Sequence, residues 1–294
     1  MPRLSHLFIA ILAGTMIGCN TIPITEQDVF MPKPSVTPST FSVEGVDLDE
    51  FTLTVDDTLR LNAWHLTQPE ARGTVLFFGG NGFYLVQSLG YIQALTAHPV
   101  NVVMFDYRGY GQSEGTPGVE AFKRDAEAAY RHVRDQLGVP AREILVHGHS
   151  LGTFLASYVG TTHRVGGMVL ENPATNVNDW VKGLAPWYVR LFVSFEVDDD
   201  LQGESNLERL RTMNDTPLLT VAGAQDNITA PGMARTLHEE AATPHKSLVV
   251  VDEGGHNRLY EDAAYQSAYR QLLDRVLPLP EDESAAVSSG ATAE

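Results

Sequence analysis

Short, nearly unbroken apolar runs alternate with segments of helical periodicity along the chain, and this alternation restricts the fold more than any single motif. The runs are Thr74–Phe78, Val100–Phe105, Glu143–His147, Gly167–Leu170, Pro217–Ala222 and Ser247–Val251. Each is rich in Val, Leu or Phe, with Gly, Asn or Asp close behind it. Runs of this kind suit strands covered on both faces, as in a parallel sheet between helices. Upstream, Phe51–Val55 and Leu59–His65 flank Asp56-Asp57 and read as an antiparallel hairpin. Together they predict an α/β architecture, a mostly parallel eight-stranded sheet flanked by helices. Val119, Phe122, Ala126, Ala129, Val133 and Leu137 recur at helical spacing and predict a helix that Gly138 closes. Residues 173–215 interrupt the pattern and carry Trp180, Trp187, Tyr188, Phe192 and Phe195. They read as a short cap insertion, its aromatics either roofing an apolar pocket or packing the cap onto the sheet.

With 294 residues, 43% of them hydrophobic, the chain can bury one large core, expected over residues 41–280. The net charge of −17 excludes a nucleic-acid partner, whose phosphates demand basic surfaces. Near the N-terminus, Arg3 precedes an apolar stretch from Leu7 to Gly18, too short to span a bilayer and shaped like a secretory h-region. It runs into Met16-Ile17-Gly18-Cys19, and Cys19 is the sole cysteine. This resembles a bacterial lipoprotein signal. The resemblance implies removal of residues 1–18, fatty acylation of Cys19 with palmitate-like chains, and a membrane-anchored place in the cell envelope. Asn20 after the cysteine favours the outer membrane, and without lipidation the location would be periplasmic. Residues 19–40, rich in Pro, Ser and Thr, read as an extended tether, and 281–294 as a disordered tail.

The pentapeptide Gly148-His149-Ser150-Leu151-Gly152 fits G-x-S-x-G, with a strand-like run before it and a helix-like run, Leu151–Val159, after it. Such an elbow strains the serine backbone and aims the Leu151 N–H, at a helix N-terminus, toward a developing oxyanion. A serine hydroxyl needs a base within hydrogen-bond reach. Of the ten histidines, His163, His238, His245 and His256 follow Ser150. His256 stands in Glu253-Gly254-Gly255-His256-Asn257, directly after the last strand, whereas the other three lie in helical or polar segments. Asp226 follows the strand Pro217–Val221, at the carboxyl edge where open α/β sheets place their sites. Asp198, Asp199 and Asp200 fall in a charge run within the insertion, and Asp252 stands too near His256 in sequence. In Phe78-Gly79-Gly80-Asn81-Gly82, the glycines let a backbone N–H approach a substrate oxygen, with Asn81 as the expected donor and Gly80 in reserve.

These segments, with Asp106-Tyr107-Arg108-Gly109-Tyr110-Gly111-Gln112-Ser113-Glu114-Gly115, resemble the α/β-hydrolase-domain family over residues 41–277. The resemblance is to its esterase, lipase and thioesterase-like branch. It implies a catalytic set of Ser150, Asp226 and His256, with Asn81 and Leu151 as oxyanion donors. The implied chemistry is acyl transfer to water from a small ester, thioester or lipid, with no metal or other cofactor. A serine peptidase or amidase on the same fold, and a non-catalytic envelope-binding lipoprotein, stay open as alternatives. Asp106–Gly115 is expected to be architectural. One departure is that family members often carry His-Gly where this chain has Gly79-Gly80, which removes a side chain that usually props that loop.

Overall fold

All five residues of Thr74–Phe78 are buried, as expected of a strand with a covering layer on each face. A computed structural model of the chain describes residues 20–32, 42–184, 193–213 and 215–277. The strands are β1 (Asn20–Ile24), β2 (Asp47–Val55), β3 (Leu59–Thr67), β4 (Thr74–Phe78), β5 (Asn101–Phe105), β6 (Ile144–His149), β7 (Gly167–Glu171), β8 (Val193–Val197), β9 (Leu218–Gly223) and β10 (Lys246–Val251). Eight of them form the main sheet in the order β10-β9-β7-β6-β4-β5-β3-β2. The pairings from β10 through to β5 are parallel, and β3 joins β5 antiparallel. β2 and β3 form the expected hairpin, Val55 opposite Leu59, and Asp56 and Asp57 turn it with positive φ. The fold is that of the α/β hydrolases.

The principal helices are α1 (Glu26–Val29), α2 (Leu89–Thr96), α3 (Val119–Arg131), α4 (Gly152–Thr162), α5 (Val177–Leu184), α6 (Asp199–Gln202), α7 (Asn206–Arg211), α8 (Pro231–Glu240) and α9 (Ala263–Val276). α3 buries Val119, Phe122, Ala126 and Ala129 on the face that the spacing implied. Beyond Arg131 it widens into a π-helical turn through Gln136, and Gly138 ends it at φ 71°. The insertion between β7 and β9 carries α5, β8, α6 and α7.

The N-terminal segment corrects the tether reading. β1 pairs in parallel with β8 of the insertion, and α1 follows at once, with Val29 and Phe30 in the core. The Phe30 ring meets Phe122 edge-on at 4.8 Å. Proline-rich composition suggests an extended chain, yet Ile22, Ile24, Val29 and Phe30 supply enough apolar surface to dock it. Pro23 is tolerated because β1 lies at the edge of a two-stranded sheet, where a missing N–H is harmless. Residues 1–18, Cys19, Trp187, Tyr188, Phe192 and the tail 281–294 lie outside the described residues. No helix among the described residues is long and apolar enough to cross a membrane.

Candidate active site

Ser150 sits between the end of β6 and the start of α4 with φ 52°, the left-handed conformation of a strained elbow. The flanking glycines are required by contact. A Cβ on Gly152 would lie 2.0 Å from the Phe78 carbonyl oxygen, and one on Gly148 would lie 2.3 Å from the Gly152 oxygen. Backbone fills both spaces, so no side chain can move aside.

The Ser150 Oγ lies 2.8 Å from His256 Nε2, and His256 Nδ1 lies 2.7 Å from Asp226 Oδ2. His256 reaches this position from the loop after β10, and Asp226 from the loop after β9. The Asp226 carboxylate also accepts the Ile228 and Thr229 amides at 2.7 and 3.0 Å and the Thr229 hydroxyl at 2.7 Å. Burial alone would raise this carboxyl. The His256 contact and the donors from Ile228 and Thr229 outweigh it and hold Asp226 below the ordinary carboxylate range. Asp226 is therefore an anion fixed against one imidazole nitrogen, which leaves the other nitrogen to face the hydroxyl.

The other candidate acids and bases lie elsewhere. Asp198, Asp199 and Asp200 are exposed at the start of α6, and Asp252 is exposed at the end of β10. His163 stacks on Tyr130 and pairs with Glu127 at 2.6 Å, while exposed His245 contacts Arg275. His238 is half-buried on α8.

Two supporting residues carry no sequence signal. Asn172, one residue past β7 with φ 48°, donates through Nδ2 to the His256 carbonyl at 2.9 Å and the Gly255 carbonyl at 3.2 Å. Its Oδ1 accepts the Gly223 amide at 2.9 Å, so one carboxamide joins the loops that carry Asp226 and His256. Thr229 joins Asp226 to the Asn172 carbonyl. A lone polar residue after a strand has no pattern to mark it; its role follows from the neighbours that the sheet order supplies.

The Gly79–Gly82 loop passes against the elbow. A Cβ on Gly80 would lie 3.4 Å from Ser150 Cβ and 2.7 Å from His149 Nδ1. Among the described residues, neither the Asn81 amide nor the Leu151 amide has a protein acceptor. The missing histidine of the Gly79-Gly80 pair is accounted for by volume: a Cβ on Gly79 would lie 2.0 Å from Phe83 Cγ, so the Phe83 ring occupies that space. Tyr107 donates to the Gly79 carbonyl at 2.7 Å. The Asp106–Gly115 stretch thus supports the loop directly, beyond the packing role expected of it. Its Arg108 pairs with buried Asp125 on α3 and does not line the cavity beside Ser150.

Beneath the elbow lies a buried polar cluster. Glu171 accepts from the Tyr91 and Tyr265 hydroxyls at 3.1 and 3.2 Å and contacts His147 at 3.3 Å. Burial would raise the Glu171 carboxyl, but the bonds from His147 and Tyr91 and the nearby His149 hold it below its ordinary value. Burial lowers His149, whose Nε2 is 2.9 Å from the His256 carbonyl.

A cavity of about 640 Å³ opens beside Ser150 and His256. Val29, Phe30, Phe122, Phe154, Val177 and Trp180 make much of its wall, so the N-terminal segment, helices α3 and α4 and the insertion all contribute. Trp180 therefore faces the cavity, while Phe195 packs against the core. Among the described residues, no cluster of three or more His, Cys, Asp or Glu side chains is arranged to hold a metal ion.

Comparison with known proteins agrees with this architecture. The family model of the serine aminopeptidases, S33, matches residues 69–209. The α/β hydrolase domain-containing protein WAV2 of Arabidopsis thaliana is 28% identical over 255 residues, covering 78% of this chain and 80% of that protein. An uncharacterized membrane protein of Saccharomyces cerevisiae is 27% identical over 239 residues, with the same coverage of 78% and 80%. Among solved structures, the Pyrococcus furiosus esterase Pf2001 superposes with a TM-score of 0.67 at 19% identity, over 83% of this chain and 96% of its own. The chain has the fold of the α/β hydrolases, and these matches support a hydrolase.

Proposed function

We propose that this hydrolase cleaves carboxylic esters or thioesters by acyl transfer through Ser150. The reading rests on one observation above all, the hydrogen-bonded series from Ser150 through His256 to Asp226 opening into an apolar cavity. His256 takes the Ser150 proton as the oxygen attacks the substrate carbonyl, and the Asp226 carboxylate stabilises the imidazolium so formed. The Leu151 and Asn81 amides hold the oxyanion. Collapse of the tetrahedral intermediate expels the alcohol or thiol, protonated by His256. Water, deprotonated by His256, then releases the acid and restores Ser150.

The cavity wall favours an acyl chain. The charged side chains that line it, Lys123 and Glu204, are paired with each other at 2.6 Å, and Glu204 is bound by Arg209 as well. A peptidase reading gains support from the name of the matching family model, but a free ammonium would need a carboxylate not already matched by two cations. The lipoprotein-like signal supports an anchor on Cys19, with substrates drawn from amphiphiles at an envelope membrane. Incorporation of an alkyne-tagged fatty acid into the wild type but not into Cys19→Ala would be the expected result.

The deciding experiment pairs a fluorophosphonate probe with a panel of p-nitrophenyl esters, thioesters and aminoacyl amides. Labelling at Ser150 with ester or thioester turnover outpacing amide turnover is the expected result. Amides outpacing esters would assign a peptidase. No labelling of the native protein would make the fold a binding module.

A further inference from the structure

The loop that carries the Asn81 amide is fastened by its own side chain to the N-terminal segment. Asn81 Nδ2 donates to the Val29 carbonyl at 2.5 Å. Asn81 Oδ1 accepts from the Tyr110 hydroxyl at 2.8 Å and from the Met31 amide at 3.2 Å. That same Met31 amide donates to the Tyr110 oxygen at 2.9 Å, so the three residues close a ring of hydrogen bonds. Tyr110 is fully buried, and burial holds its hydroxyl well above the ordinary phenol range, so it stays protonated and able to donate. On the opposite side of the loop, Gly80 stands against Ser150 and His149.

We infer that the Asn81 carboxamide and the Tyr110 hydroxyl are positioning residues for oxyanion stabilisation, with Val29–Met31 as the support to which they are bound. The inference rests on the acyl-transfer reading above. An amide donor stabilises developing charge only when its distance is set before the reaction, and a displacement of about 1 Å can cost as much as 100-fold in rate. Gly79 and Gly80 leave the loop backbone without side chains of its own to set that distance. Phe83 fills the adjacent volume, but a ring contact resists sliding weakly. Directional bonds to a segment packed into the core through Val29 and Phe30 supply the missing constraint. The bonds recorded for the Tyr110 hydroxyl end on this loop and this segment, while its ring packs on Tyr84, Tyr107 and Phe122. Tyr110→Phe therefore removes the constraint and keeps the packing.

The test compares wild type, Tyr110→Phe, Asn81→Ala and the double variant, with Leu61→Ala on β3 as a control for lost stability. Steady-state hydrolysis of a p-nitrophenyl ester is measured beside the affinity for phenylboronic acid, which adds to a serine oxygen as a tetrahedral anion. Each single variant should lower kcat by about 10-fold, with KM changed by less than about 2-fold, because the lost interaction belongs to the transition state. Boronate affinity should fall by the same factor. The double variant should be no worse than the weaker single one, since both break one ring. Leu61→Ala should lower Tm and leave kcat and boronate affinity unchanged. Wild-type kcat and boronate affinity in Tyr110→Phe would overturn the inference, as would a Leu61→Ala enzyme with the same losses. A wild type that turns over no acyl donor and leaves Ser150 unlabelled would overturn the acyl-transfer reading itself, and this inference with it.

Discussion

Asn172 holds His256 by its main chain: the Asn172 Nδ2 donates to the His256 carbonyl at 2.9 Å while the imidazole turns the other way, toward Ser150 and Asp226. The ring is thus oriented from one side by a carboxylate and its loop is fixed from the other by a carboxamide. Asn172→Asp keeps the size and the acceptor but loses the donor to two carbonyls. It should lower kcat/KM by about 10-fold or more, with a fall in Tm of a few degrees, because the Gly255 and His256 carbonyls lose the Asn172 donor. Asn172→Gly suits the positive φ of 48° and should stay folded with the same kinetic defect. Steady-state kinetics and a thermal scan on both variants check this.

Ser150→Ala should abolish ester hydrolysis, by about 10⁴-fold or more, while leaving Tm nearly unchanged. Asp226→Asn keeps the shape but removes the anion opposite His256, and a loss on the order of 10⁴-fold in kcat is expected. Thr229→Val removes one of the donors to that anion and should cost about 3-fold to 10-fold. Retained activity in Asp226→Asn, read from initial rates at pH 7 to 8, would move the acid's role to another residue.

Acid should weaken the fold in two stages. His149 sits below its ordinary value in the folded state, so the unfolded chain takes up a proton first as the pH falls from about 7, and stability drops. Glu171 also sits below its ordinary value. Its contribution is complete above the unfolded carboxylate pKa, about 4.3, and is lost as the pH falls through the folded value. Urea unfolding from about pH 7.5 down to about 2.5 should show both slopes. His149→Gln should shallow the first by at most about 1.4 kcal/mol per pH unit, the worth of one proton. An unchanged slope would show that His149 titrates alike in both states.

The strands were legible because residues buried on two faces leave few choices of composition. The expected run Gly167–Leu170 differs from β7 by one residue. Ser150, Asp226 and His256 stand out by following strands in chain order, which needs no three-dimensional information. The support around them does not stand out. Asn172 and Thr229 are ordinary polar residues, and Phe83 fills a volume that no spacing announces. Residues 20–31 were illegible for another reason: prolines and threonines suggest a linker, and the hydrogen-bonding partner of β1 lies far along the chain.

Gly152→Ala and Gly255→Ala should separate required glycines from incidental ones. A Cβ on Gly152 meets backbone at 2.0 Å, whereas one on Gly255 meets nothing within 4 Å. The first should cost about 3 kcal/mol or more and the second less than about 0.5 kcal/mol, measured by denaturant midpoint. In the His256 loop the more tightly enclosed glycine is Gly254, where a Cβ would lie 2.5 Å from a Leu259 methyl and 2.9 Å from Val251 Cβ.

Phe30→Ala should destabilise by about 3–5 kcal/mol, the usual cost of deleting a buried phenylalanine. It should also broaden acyl-chain preference, since the same ring forms cavity wall. A thermal scan and a chain-length series of esters report the two effects independently.

The pairing of β1 with β8 joins residues 173 apart, as the contact of Thr21 with Ser194 shows. A ribosome delivers the first strand long before its mate, so that edge must wait unpaired through most of synthesis. Cap assembly is thereby tied to a late, long-range closure whose cost is largely chain entropy. Trimming or fusing the chain near Asn20 would disturb the strand on which the distant insertion is hung.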